Sequence, residues 1–289
     1  MRKLLNNYRR YLTNYDSVLA YSLLGIFGGM ASGLVVLAFE LAIRELPRLW
    51  GVGGGGEDFE SLPYWLLFAL PAGGATLLGW AYSMLKTEDR ETGIVHVLSR
   101  MHSHYSVLPL RNALLQFTAG AFALATGQSG GREGPGVHLG GAVNSVLGQG
   151  LGLPNNSLRV LIACGTAGGI SAAFNTPLAG VIFAMEVIVA EYTVVGFIPV
   201  MLSAVAAAAV SRTLSESGSL LTMPAVELKS LWEIPYILLL GFVCGIAVAF
   251  FIRIIRMVGR LAHWPVAIRF GLAGAFTGSL ALMVPEVLG

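Results

Sequence analysis

Long stretches without a charged residue dominate this chain. No Asp, Glu, Lys or Arg occurs in 17–39, 61–85, 112–131, 134–158, 160–185, 192–211, 234–252 or 270–285. A helix needs about 20 apolar residues to cross a bilayer, so the pattern predicts seven or eight membrane helices and an all-α, polytopic membrane protein. The first ten residues are basic, but the apolar run after Asp16 is too long for a signal peptide and has no small-residue cleavage site. The segment is expected to be retained.

Composition supports the membrane reading. The chain is 55% hydrophobic and 12% charged, against about 25% charged in a soluble domain, and its mean hydropathy is +0.72. A net charge of +2, with basic residues at segment ends rather than on one face, gives no footprint for nucleic acid. Those bases report topology instead. Lys and Arg lie at the N-terminus and between Lys86 and Arg100, while the loop Gly51 to Pro63 has three acids and no base, which puts the first two in the cytoplasm. Cys164 and Cys244 both sit in apolar segments, where a buried thiol is expected. Neither a disulfide, a metal site nor a cofactor is implied.

Arg132 and Glu133 form a lone ionisable pair between the charge-free stretches 112–131 and 134–158. A charge at membrane depth costs about 2.5–3.5 kcal/mol on insertion scales, so such a carboxylate marks a functional site by default. Gly127, Gly130, Gly131, Gly134, Gly136, Gly140 and Gly141 surround it, more densely than helix packing alone requires. With Pro135, they predict a helix break and a new helix starting near Glu133, Pro135 falling in the first turn where a missing N–H is harmless. The amides of Gly131 to Gly134 and the positive dipole end would then make an anion site. The Glu133 carboxylate could occupy the anion's place and vacate it on neutralisation. The plainer alternative is that Arg132 and Glu133 pair with other groups and hold the bend.

Two more breaks are expected, at Glu91-Thr92-Gly93-Ile94 and at Asn175-Thr176-Pro177. Thr92 can offer its hydroxyl, with the amides of Gly93 and Ile94 behind it, to an anion; equally, it can serve as a helix N-cap. A weak internal repeat relates Tyr21 to Gly29 with Tyr236 to Gly245, Gly25 and Gly29 matching Gly241 and Gly245, both 216 residues on. Such repeats mark transport folds. The second copy stops after two segments, so the chain reads as the front part of a longer protein.

Gly131-Arg-Glu-Gly-Pro135, then Val-His-Leu-Gly-Gly141, then Gly165-Thr-Ala-Gly-Gly-Ile-Ser-Ala-Ala-Phe-Asn-Thr-Pro-Leu-Ala-Gly180 and Phe183-Ala-Met-Glu-Val187, resemble the CLC family of chloride channels and chloride/proton exchangers. The resemblance implies a CLC-type inverted-repeat fold of tilted and broken helices with the second repeat incomplete here. In it, 1–16 would be a cytoplasmic N-terminal amphipathic helix, 17–230 the first membrane repeat and 231–289 the first two helices of the second. It also implies a homodimer with one chloride pathway per subunit in a lipid bilayer, expected to be a bacterial inner membrane, and a gating glutamate at Glu133. The family's anion-coordinating serine falls on Thr92, a departure that keeps the hydroxyl and adds a methyl. The acid at the inner end of the exchangers' proton path falls on Val187. A valine relays no proton, so the sequence favours a passive chloride channel, with a proton-coupled exchanger as the alternative.

A third reading is remote. Gly127-Gln-Ser-Gly130 matches the Gly-x-Ser-Gly of rhomboid-type intramembrane proteases, which need a histidine to activate the serine. His138 lies nine residues beyond Ser129 but is expected to be a packed or pore-flanking polar residue, and His96, His102 and His104 fall in the segment assigned to the cytoplasm. Tyr64, Trp65, Trp232, Tyr236 and Trp264 near segment ends read as interfacial belts.

Overall fold

The computed structural model describes residues 18–53, 58–190, 194–214 and 233–288. The amphipathic helix expected over 1–16 and the belt residue Trp232 lie outside them. The described chain is helical: α1 Val18–Glu45, α2 Tyr64–Met84, α3 Gly93–Ser103, α4 Leu110–Ala125, α5 Glu133–Gly150, α6 Asn155–Phe174, α7 Pro177–Phe183, α8 Val194–Leu214, α9 Glu233–Gly259 and α10 Val266–Ala281. One isolated bridge, Gly53 to Asp58, is the extent of β pairing among the described residues.

Five of these helical segments are long and apolar enough to cross a membrane: Val18–Trp50, Tyr64–Met84, Asn155–Phe174, Gly196–Leu214 and Ile234–His263. The seven or eight expected from sequence overcount because a charge-free run includes loop residues as readily as helix. The run 160–185 is cut at Asn175, whose left-handed backbone (φ 55°) ends α6 before extended Thr176 and Pro177 open α7. Asparagine tolerates that conformation, and proline suits a first helical position. The run 112–131 holds only the rest of α4, which closes at Gly127 (φ 77°), a conformation glycine adopts freely.

Small residues set the packing. A Cβ at Gly25 would stand 2.5 Å from the Pro199 carbonyl oxygen, and one at Gly29 would collide with that of Ser203, so α1 and α8 touch backbone to backbone. Gly136 and Gly140 meet Gly169 and Gly165 in the same way, joining α5 to α6. The glycine cluster near Glu133 therefore divides. Gly136, Gly140 and Gly141 serve packing after all, while Gly127 makes a turn, Gly131 leaves room for the Glu133 carboxylate and Gly134 faces open space. Asn144 adds a buried polar tie, donating to the Gly28 carbonyl (3.1 Å) and the Ser32 hydroxyl (2.8 Å) of α1. An apolar core of Phe39, Val97, Leu108, Leu124, Val137 and Ile162 fills the space between α1, α3, α4, α5 and α6.

The C-terminal helices behave differently. α10 packs on α2, where a Cβ at Gly274 would lie 2.5 Å from the Pro71 carbonyl oxygen and one at Gly278 2.8 Å from that of Phe68. α9 is exposed along its described side chains. Cys164 is buried, as its apolar segment implies, but Cys244 is exposed because it rides on α9.

Candidate functional site

α5 starts at Glu133, with Arg132 at the cap position making no side-chain cap bond. Pro135 has no N–H, and the Gly136 amide bonds back to the Arg132 carbonyl at 2.9 Å. The amides of Glu133 and Gly134 open the helix and have no intrahelical acceptor. The Glu133 side chain turns back across the chain before it: a Cβ on Gly131 would collide with Glu133 Oε2, whereas one on Gly134 would meet open space. The carboxylate thus lies at the positive end of its own helix, where an anion is favoured.

The Arg132 charge acts on Glu40 of α1, a partly buried carboxylate that also feels Arg44. Arg132 is half-buried and Glu133 is exposed. Glu40 was not singled out from sequence. Its signal was there, an acid ending the charge-free run 17–39, but its cation lies 92 residues away, 132 minus 40.

Thr92 precedes α3 in extended conformation and makes no cap bond to the helix it precedes. The Tyr82 phenol lies close enough to feel its hydroxyl. Gly93 has φ 76° and open space where a Cβ would stand, and Ile94 packs on the core. The first amides of α3 are thereby left without intrahelical acceptors, as at α5. The segment leading to Thr92 is held by Asn112 of α4, 1% exposed, whose Nδ2 donates to the carbonyls of Glu88 (3.0 Å) and Glu91 (2.9 Å). Asn112 too was missed, although an amide in an apolar run is a visible cue.

α3 and α5 are joined about a turn inside their N-termini. His96 Nδ1 and His138 Nε2 are 2.8 Å apart, both rings buried. Arg100 Nε donates to His96 Nε2 at 3.1 Å. Arginine is only a donor, so His96 carries its proton on Nδ1 and donates to His138 Nε2, which leaves the proton of His138 on Nδ1. That N–H has no partner. An orphaned buried donor costs about 1–3 kcal/mol. The packed reading of His138 is what the structure displays, with a bond to His96 that the sequence did not reveal.

Val187 lies on a wider turn, Ala184–Val189, whose hydrogen bonds run from i to i+5. Such a turn shifts the register of the side chains after it. Glu186 and Val187 are both exposed there, so an acid is available on the turn that the sequence reading assigned to a valine. Ser129 and His138 are not brought together as a protease needs: the serine hydroxyl donates to the Val287 carbonyl at 2.7 Å, and His138 is committed to His96. An apolar cavity of about 790 Å³, lined by Leu78, Ile255, Trp264 and Phe276 among others, lies between α2, α9 and α10. Gln128 and Arg269 are the polar members of its lining, the rest being largely apolar.

Spanning apolar helices, interrupted at breaks that carry the ionisable residues, define an integral, multi-pass membrane protein of all-α architecture. A family model described as "Voltage gated chloride channel" matches residues 74–289. A putative chloride channel protein, ClcB-like, from Ralstonia nicotianae is 32% identical over 273 residues, 90% of this chain and 63% of the relative. The H(+)/Cl(-) exchange transporter ClcA of Vibrio cholerae is 30% identical over 291 residues, covering 97% of this chain and 62% of its own length. Among solved structures, a CLC-type fluoride/proton antiporter superposes with a TM-score of 0.79 at 23% identity, over 96% of this chain and 68% of that one. A slow cyanobacterial Cl-/H+ antiporter gives 0.76 at 20% identity, over 93% and 65%. The chain belongs to the CLC family, and its fold is the CLC fold. It spans less than two thirds of the length of the curated relatives compared.

Proposed function

We propose that this chain supplies the N-terminal part of a CLC-type transporter that exchanges chloride, or a similar small anion, for protons. The observation that carries the anion site is the Glu133 carboxylate, folded back over Gly131 at the start of α5. There it stands where an anion would be held by the amides of Gly131 to Gly134. Protonation removes its charge, lets it leave, and admits the anion, so one side chain serves both ions. Thr92, with Gly93 and Ile94 behind it, contributes a hydroxyl and free amides from α3.

Exchange is preferred to the passive channel because curated relatives matching 97% of the chain are named H(+)/Cl(-) exchange transporters. The channel reading rested on Val187, and the wide turn at Ala184–Val189 weakens that argument by presenting Glu186 beside it. A channel remains the second reading, favoured by the valine and by the relative named as a putative chloride channel protein. In either case the Arg132 amide belongs to the anion site, while its side-chain charge also acts on Glu40 of α1.

The rest of the assignment follows the family. Residues 17–230 form the first repeat and 231–289 the opening of the second, a division supported by α2 and α10, the matching second helices of the two copies, packing on each other. The basic start of the chain supports a cytoplasmic N-terminus, the bacterial relatives an inner membrane, and the family a homodimer. The test uses the complete protein in liposomes. An outward chloride gradient should drive proton uptake against a proton gradient at fixed stoichiometry; chloride flux with no proton movement would return the protein to the channel reading.

A further inference from the structure

We infer that the His96–His138 hydrogen bond is a spacer that sets how far the N-terminus of α3 stands from that of α5, and thereby which anions fit between Thr92 and Glu133. The inference rests on the reading of those two residues as opposite sides of one anion site.

His96 is the fourth residue of α3 and His138 the sixth of α5, so the bond crosses between the helices about a turn behind both candidate binding ends. The His138 side of the pair is apolar, its chain neighbours Val137 and Leu139 belonging to the buried core, while His96 faces Arg100 and, at 3.9 Å, the Glu91 carboxylate. An apolar side chain at 138 would suit that packing and would leave no N–H without a partner. With one nitrogen orphaned, the contribution of the His138 ring lies in its bonded nitrogen, the acceptor for His96. Arg100 settles the direction of that bond, since its donation to His96 Nε2 makes His96 Nδ1–H the donor and His138 Nε2 the acceptor.

Asn112 meanwhile fastens the segment before Thr92 to α4. The N-terminus of α3 is thus held from two sides, by α4 through Asn112 and by α5 through the histidines. Losing the second tie would leave Thr92 attached to the protein but free to shift relative to Glu133. His96 and His138 act through Thr92 and Glu133 and are positioning residues.

The direction of the bond makes the test selective. At 138 the requirement is an acceptor, which Gln provides and Leu does not. In the complete protein reconstituted in liposomes, His138→Leu should shift the ratio of fluoride to chloride flux by about fivefold, the factor expected for one lost buried hydrogen bond. His138→Gln should stay within about twofold of wild type, and His96→Leu should shift the ratio like His138→Leu, with no further change in the double variant. Folded His138→Leu with the wild-type ratio, or a Gln variant altered as much as the Leu variant, would overturn the spacer. Should His138→Leu yield no folded protein, His96→Leu removes the same bond and is read against the same ratio. A wild type that conducts no anion would overturn the anion-site reading as well, whereas a conducting wild type with unchanged variants removes the spacer alone.

Discussion

Glu133 stands out in the sequence because a lone charge in a membrane segment is costly and because glycines and a proline mark a helix start beside it. What the sequence did not reveal are the partners of its neighbours. The Arg132 charge acts on Glu40, His96 finds His138 42 residues away, and Asn112 reaches back to Glu88 and Glu91. Each interaction joins residues distant in the chain, and neither periodicity nor motif spacing encodes it. At Thr92 the two readings made from sequence were a cap and an anion donor. The hydroxyl makes no cap bond, which favours its proposed role as an anion donor. Thr92→Val keeps the shape and extended backbone and removes the donor, so chloride affinity of the complete protein measured by calorimetry should fall by roughly 1–3 kcal/mol. Equal affinity would take Thr92 out of the site.

At the scale of elements, the breaks were more legible than the spans. Asn175-Thr-Pro177 and Gly131-Arg-Glu-Gly-Pro135 carry residues whose backbone preferences enforce an interruption, and both interruptions fall where those residues stand. Span number was harder to read, because absence of charge reports apolar surroundings and not continuous helix. Glycine was ambiguous for a related reason: a residue without a side chain looks the same whether it makes a turn, admits a carboxylate or lets two backbones touch. The α5–α6 contact separates these uses. A Cβ at Gly140 would collide with the Gly165 carbonyl, a backbone atom that cannot swing aside. Gly140→Ala should therefore lower thermal stability by about 1–3 kcal/mol. Gly150→Ala, at the open end of the same helix, has space around it and should be neutral or stabilising by up to about 1 kcal/mol. Equal thermal shifts for the two variants would refute the close packing of α5 on α6.

For the whole molecule, the exposure of α9 was not legible in the sequence. An apolar helix reads the same in sequence whether protein or lipid covers it, and α9, with Cys244, is exposed along its described side chains. α10 instead closes on α2. In the proposed exchanger, Glu133 is the residue on which anion and proton movement meet. The most direct measurement is chloride and proton flux through the complete protein carrying Glu133→Gln, across a range of pH, beside wild type. If the carboxylate competes with the anion and carries the proton, the glutamine variant should pass chloride at a rate that scarcely varies with pH and should move no protons. A folded Glu133→Gln protein that keeps the wild-type pH dependence and proton movement would contradict the account.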